Sequence, residues 1–289
     1  MIIMTTPSKA LVLSGGGAAG AAWMAGIISG LRERGADLGD ADLIVGTSAG
    51  ARVGAQLATG VLGLAVDMHR RGGIPAVTRY ATLPQWIAAS MRIIAQAPNE
   101  QEAARRIAAL GPLGERLASG AERRRQVTAL LPVRQWPAQR LLVAAVDAES
   151  GARVAFGAGS GAALADAVAA SCALPGIYPL VTINGRQYAD GGAYSLYSAD
   201  LAADHDVVTV LSPVPLNDYL QAKLDAEIRA LGPAVVHVVT ADEQSLAAIG
   251  PDANADDTAQ AALGAGIAQA HREIAALHAI WPSRARRAA

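Results

Sequence analysis

The chain has 289 residues, 52% hydrophobic and 17% charged, so it can bury a large core and global disorder is excluded. A net charge of -1 supplies no concentrated basic face for nucleic acid, and the short clusters Arg123-Arg124-Arg125 and Arg284, Arg286, Arg287 read as solvated surface. The one cysteine, Cys172, excludes an internal disulfide and a cysteine-based metal site, and its apolar setting predicts a small core residue.

Met1 to Lys9 lacks the charged-then-apolar pattern of a secretion signal, and no segment offers about 18 uninterrupted apolar residues. A cytoplasmic location is therefore expected. Ala10 to Leu13 is a short apolar run ended by Ser14-Gly15-Gly16-Gly17, which predicts a buried strand. From Ala18 to about Arg34, Trp23, Ile27, Ile28 and Leu31 recur at helical spacing, with Gly35 as the stop. Leu43 to Val45 predicts a second strand and Ala49 to Thr59 a helix, so two parallel strands joined by a right-handed crossover are expected. Residues 62–131 read as several short helices cut by Gly72-Gly73, Pro75, Pro84, Pro98 and Gly111-Pro112.

Strand patterning returns at Arg140 to Val146, turns at Glu149-Ser150-Gly151 and continues from Arg153 to Phe156. Ala162 to Cys172 is helical. Val181 to Ile183 and Arg186 to Tyr188 flank Asn184-Gly185, a strong two-residue hairpin signal. Val207 to Leu211 and Val235 to Val239 predict later core strands, and Leu263, Ile267, Ile274, Leu277 and Trp281 form one stripe of a last helix. With no internal repeat and no linker-like shift in composition, the expectation is one α/β domain over 1–289. It carries a helical insertion at 62–131 and a flexible tail from 282.

Three motifs carry chemistry. Gly46-Thr47-Ser48-Ala49-Gly50 follows a strand and precedes a helix, which suits a sharp turn that displays one serine and tolerates no bulk on either side. In a chain with 30 glycines the pattern also recurs by chance. Gly15-Gly16-Gly17-Ala18-Ala19-Gly20 fits a dinucleotide phosphate loop, but the next strand ends in Gly46-Thr47-Ser48 and not in the acidic residue that would hold a ribose. The same bare amides at a helix N-terminus suit an oxyanion hole, and a glycine turn needed only for close packing is the plain alternative. Asp190-Gly191-Gly192 presents a carboxylate with an open approach, able to take a proton from Ser48 directly; turns use the same triplet.

In that order the three motifs resemble the patatin-like phospholipase family, with its glycine-rich oxyanion loop, G-x-S-x-G and downstream Asp-Gly-Gly. Ala170-Ser171-Cys172-Ala173-Leu174-Pro175-Gly176-Ile177-Tyr178-Pro179 and the hairpin at Asp147 to Phe156 also look similar, so the likeness spans about Ala10 to Pro213. The resemblance implies a three-layer α/β/α fold with a mainly parallel central sheet, hydrolysis of lipid acyl esters, and no cofactor or metal. It implies Ser48 as nucleophile, Asp190 as general base, and Gly15, Gly16 and Gly17 lining the oxyanion hole. A lipid or other acyl ester is the expected partner, with transient membrane-surface contact and no nucleic acid. Two departures stand out: Ala18-Ala19 replaces the Lys or Arg that many members carry in the glycine loop, and Ala193 to Asp200 is atypical after Asp-Gly-Gly.

The rival enzyme is a Ser-His-Asp esterase or acyltransferase. His205 lies in a polar loop and His237 alternates within a strand, so solvated-loop and packed-core roles are expected of them. His69, His271 and His278 form no metal-ligand pair, and Asp147 and Asp166 lack the open glycine flank. A catalytically quiet lipid- or nucleotide-binding module is the non-enzymatic alternative. The apolar residues Ile74, Leu83, Trp86, Ile87, Met91, Ile93 and Ile94 suit either an acyl-pocket wall or lid, or ordinary core.

Overall fold

A computed structural model describes residues 7–71, 83–114, 119–253 and 257–281, leaving out the side chains at 121, 123 and 124. The expected tail, the arginines within it and Ile74 lie outside the described residues. Strand β1 (Lys9–Leu13) leads into helix α1 (Gly17–Glu33), and β2 (Leu43–Thr47) into α2 (Ala49–Ala58). The expected insertion contains α3 (Leu62–Arg70), α4 (Leu83–Ile94), α5 (Glu100–Ala108) and α6 (Gly120–Leu130). Then come β3 (Arg140–Asp147), β4 (Arg153–Phe156), α7 (Leu164–Ser171), β5 (Val181–Ile183), β6 (Arg186–Asp190) and β7 (Val207–Ser212). The chain closes with α8 (Asp218–Ala230), β8 (Val235–Thr240), α9 (Glu243–Ile249) and α10 (Ala259–Ile280).

Among the described residues eight strands join one sheet, paired in the order β5-β6-β3-β2-β1-β7-β8 with β4 on β3. The pairs β3-β2, β2-β1, β1-β7 and β7-β8 are parallel, whereas β4 and β6 run antiparallel to β3. Asn184 and Gly185 turn the β5-β6 hairpin with φ of 50° and 80°, the left-handed pair that a tight hairpin of this twist requires.

Period-two alternation sorts each strand between two layers. Leu11, Leu13 and Ile44 pack under α1, α2, α7 and α10, while Ala10, Val12, Leu43, Val45, Val208 and Val210 pack against Tyr197, Ala199, Ala202 and α8. A third cluster joins α4 and α5 to Val146, Leu174, Ile177 and Ala189. The result is the expected α/β/α arrangement around a mainly parallel sheet.

Helices α1 and α10 lie almost backbone to backbone. A Cβ on Gly26 would meet the Leu263 carbonyl at 2.3 Å, and one on Gly266 would meet the Trp23 carbonyl at 2.3 Å. Lys9 is fully buried in β1, with its ammonium 5.1 Å from the centroid of Trp281, which follows α10, and this ties the last described residue to β1.

Within 62–131, α4 and α5 pack on each other. α3 packs on α1 and α10, α6 on α7, and α5 on β3 and β6; α4 alone turns one whole face to the cavity described next. Arg125 of α6 is exposed, as expected of a solvated face.

Candidate active site

Ser48 follows β2 with φ 53° and ψ -115°, a conformation that costs a non-glycine residue about 1–3 kcal/mol. The surroundings enforce it. A Cβ on Gly50 would lie 1.9 Å from the Leu13 carbonyl, and one on Gly46 would lie 2.5 Å from the Cα of Ala51, so α2 presses directly onto β1 and β2. The serine's backbone is held from the other side by the end of α7. Ser48 N–H donates to Ser171 Oγ at 2.8 Å, and the same hydroxyl donates to the Ala144 carbonyl at 2.6 Å. The Cys172 thiol donates to the Ser48 carbonyl at 3.0 Å. Cys172 is thus half-buried at the serine turn, packed against the main core.

The Ser48 side chain points to the second motif: its Oγ donates to Asp190 Oδ2 at 2.7 Å, across 142 residues of sequence. Asp190 ends β6 and is 1% exposed, and its Oδ1 accepts the Gly192 amide at 2.8 Å. Gly191 is required by contact more than by access. A Cβ there would sit 2.5 Å from the Ala144 carbonyl and 3.1 Å from the Thr47 methyl, because the chain crosses β3 at that point.

The third motif lies over the same hydroxyl. Gly16 caps α1 and Gly17 has φ 68°. Neither amide makes a hydrogen bond among the described residues, and both line the cavity beside Ser48. Gly15 lines it too, but its amide is already engaged with the Leu196 carbonyl at 2.9 Å. Of the three glycines only Gly16 and Gly17 offer donors.

These residues open onto a cavity of about 240 Å³. Its wall is mostly apolar: Leu83, Trp86, Ile87, Met91 and Ile94 of α4, Ile107 of α5, and Leu174, Leu196, Val214 and Leu220. Ile87 and Met91 remain 47% and 37% exposed, so the mouth has an apolar lip. Lys223 of α8 also lines it, pairing with Glu100 and lying 5.0 Å from the centroid of Tyr194. A cation therefore stands on the wall, although Ala18-Ala19 supplies none in the glycine loop.

The atypical segment after Asp190 is anchored by a residue outside any motif. Glu227 of α8 is 7% exposed; it accepts the Ser195 hydroxyl and, at 2.7 Å, the Ala199 amide. Ser195 Oγ in turn accepts the amides of Tyr197 and Ser198 at 3.1 and 3.0 Å. Burial pushes the Glu227 carboxyl up despite those donors. Arg153 forks onto both carboxylate oxygens of Asp200 at 2.6 and 2.5 Å and closes the segment's far end.

The other candidates fall elsewhere. No histidine lines the cavity. His205 Nδ1 lies 3.1 Å from the Ala202 and Ala203 carbonyls, and His237 is half-buried with Nε2 3.6 Å from Glu273. Asp147 is spent on structure: burial opposes its charge, but the Ser150 amide and hydroxyl, Arg186 and the Glu149 amide hold its carboxyl below the usual range. Asp166 does not line the cavity. Among the described residues no cluster of three or more His, Cys, Asp or Glu suits a metal ion, and no helix is long and apolar enough to cross a membrane.

The sequence model of the Patatin-like phospholipase family matches residues 11–203, two thirds of the chain. The chain belongs to the patatin-like phospholipase family. The match takes in the glycine loop, the serine turn and Asp190, and stops before α8. Among solved structures, VipD from Legionella pneumophila is 14% identical with a TM-score of 0.42, covering 94% of this chain and 67% of its own. The type III effector protein ExoU is 17% identical with a TM-score of 0.34, covering 91% and 53%. This patatin-like chain thus spans about two thirds of the VipD chain and about half of the ExoU chain. No curated protein matches it.

Proposed function

We propose that this patatin-like chain is a serine acyl-ester hydrolase of lipid substrates, of phospholipase A, lysophospholipase or esterase type, working through a Ser48-Asp190 dyad. The observation that carries the reading is the 2.7 Å bond from Ser48 Oγ to the buried Asp190 carboxylate, made by a serine held in a strained turn. Ser48 Oγ attacks the ester carbonyl as its proton passes to Asp190 Oδ2. The carbonyl oxygen becomes an oxyanion beneath the Gly16 and Gly17 amides, and each such donor lowers the barrier by about 3 kcal/mol. Asp190 returns the proton to the departing alcohol, leaving an acyl-Ser48 ester. Water then gives a proton to Asp190 and attacks the acyl carbon; Ser48 regains the proton and the carboxylic acid leaves.

The apolar wall suits an acyl chain, and the exposed Ile87, Met91 and Tyr219 beside the mouth suit transient contact with a lipid surface. The scheme needs no cofactor and no histidine. Purified protein should hydrolyse a short-chain nitrophenyl ester and label with a fluorophosphonate, while Ser48→Ala does neither and melts as the wild type. Wild-type turnover by Ser48→Ala would refute the scheme. His205→Gln should be silent, and its inactivation would favour a triad.

A further inference from the structure

Two polar groups in the cavity wall have no use in that scheme. Trp86 and Ser90 stand one turn apart on α4, line the cavity that holds Ser48 and Asp190, and are only 9% and 4% exposed. Neither the Trp86 indole nitrogen nor the Ser90 hydroxyl makes a hydrogen bond among the described residues. Ser195 is engaged with Glu227, Asn217 Oδ1 with the Leu220 amide and Lys223 with Glu100, while Tyr194 and Tyr219 are less buried than these two residues. Buried donors without acceptors are rare because each keeps its full desolvation cost. A plain acyl chain lying along α4 offers neither group an acceptor. A chain carrying an oxygen would satisfy them.

We propose that Trp86 and Ser90 form a polar subsite that selects acyl esters bearing a second oxygen function: a hydroxyl or keto oxygen on the acyl chain, or the carbonyl of a second ester. The indole N–H donates to that oxygen, and the Ser90 hydroxyl donates to it or accepts from it. The inference rests on Ser48 being the nucleophile and adds to it the chemical class of the substrate. It also gives α4 a recognition role that a greasy wall would not need.

The test compares kcat/KM for nitrophenyl esters of equal chain length, unsubstituted or carrying one hydroxyl at successive positions, together with a diester of matching length. The wild type should prefer an oxygenated ester by about tenfold, the effect of one neutral hydrogen bond. Ser90→Ala and Trp86→Phe should each bring that ratio towards one, with a cooperative thermal transition showing that the variant is folded. If Trp86→Phe does not fold, Ser90→Ala decides alone, because it removes a single oxygen. The arm that shows the preference, hydroxyacyl ester or diester, identifies the source of the oxygen. A wild-type ratio near one for every ester, or a preference unchanged in the variants, would overturn the subsite. Loss of all plain-ester turnover and of fluorophosphonate labelling in the wild type would strike the nucleophile reading instead.

Discussion

Removing the Ser171 hydroxyl should disable Ser48 without touching the cavity wall. Ser171 is fully buried and does two things at once: it accepts the Ser48 amide at 2.8 Å and donates to the Ala144 carbonyl at 2.6 Å. Ser171→Ala leaves a buried N–H without its acceptor, at about 1–3 kcal/mol. It also loosens a turn that already stores about 1–3 kcal/mol of backbone strain. The folded state should lose about 2 kcal/mol, which lowers the melting temperature by roughly 5 °C in a chain of this size. The effect on catalysis should be larger. The Ser48 peptide can relax away from φ 53°, and a drift of about 1 Å between reacting groups costs on the order of 100-fold. Steady-state kinetics on a short-chain ester should show kcat down by roughly 10- to 100-fold with KM nearly unchanged. Ser171→Thr, which keeps the hydroxyl, should recover part of kcat. Wild-type kcat in Ser171→Ala would show that the bridge does not hold the nucleophile.

Three further outcomes follow from named contacts. Gly191→Ala would press a methyl onto the Ala144 carbonyl 2.5 Å away and swing Asp190 from Ser48, so ester turnover should fall by at least about tenfold; unchanged turnover would show that the crossing has slack. Glu227→Gln keeps its shape but puts an amide group where both carboxylate oxygens accept, leaving Ser195 or Ala199 without an acceptor at about 1–3 kcal/mol. Leu196, whose carbonyl holds the Gly15 amide, should loosen with it, and kcat should drop before KM rises; a variant altered only in melting temperature would refute that link. Burial, and then Arg52, lower the His69 pKa from 6.5 to about 4. The unfolded imidazole takes its proton near pH 6.5, so between those values the unfolded state binds more protons. Stability from this group is complete above pH 6.5 and falls by up to roughly 3 kcal/mol as pH drops to about 4. Melting curves from pH 7 to 4 should fall more steeply for wild type than for His69→Leu, and parallel curves would exclude the effect.

The central strands were legible as short apolar runs because both their faces are covered, Ala10 and Val12 on one side of β1 and Leu11 and Leu13 on the other. The β5-β6 hairpin was legible because Asn184-Gly185 supplies the two left-handed residues in sequence. Helix α8 escaped notice for the opposite reason. Its inner face sets the buried charges Lys223 and Glu227 among Leu220, Leu224 and Ile228, so two charges interrupt its apolar stripe. Those charges serve the site, one on the cavity wall and one holding the segment after Asp190. Ser171 had no local signal either, since both its partners lie more than 25 residues away and become neighbours only through the sheet. Nor does the sequence show that Gly15 lines the cavity with its amide held by the Leu196 carbonyl, also remote in sequence.

The distance from Ser48 to Asp190 is itself a product of sheet register. β3 pairs with β2 over Arg140 to Ala144 and with β6 over Ala145 to Asp147, while β4 pairs across Val143 to Val146. A strand edge holds one partner at a time, so β4, which overlaps both, must take one edge of β3 and leave the other to β2 and β6 in succession. β2 runs parallel to β3 and β6 antiparallel, so the two meet with their carboxyl ends facing. Thr47 ends one and Asp190 the other, opposite the adjacent residues Ala144 and Ala145. A serine placed just after β2 and a carboxylate at the last residue of β6 are then neighbours by construction. An all-parallel sheet would bring both strand ends to one rim but on separate edges, about 5 Å or more apart for each intervening strand. The reversal of one strand is what lets a carboxylate reach the serine directly, with no imidazole to span the gap.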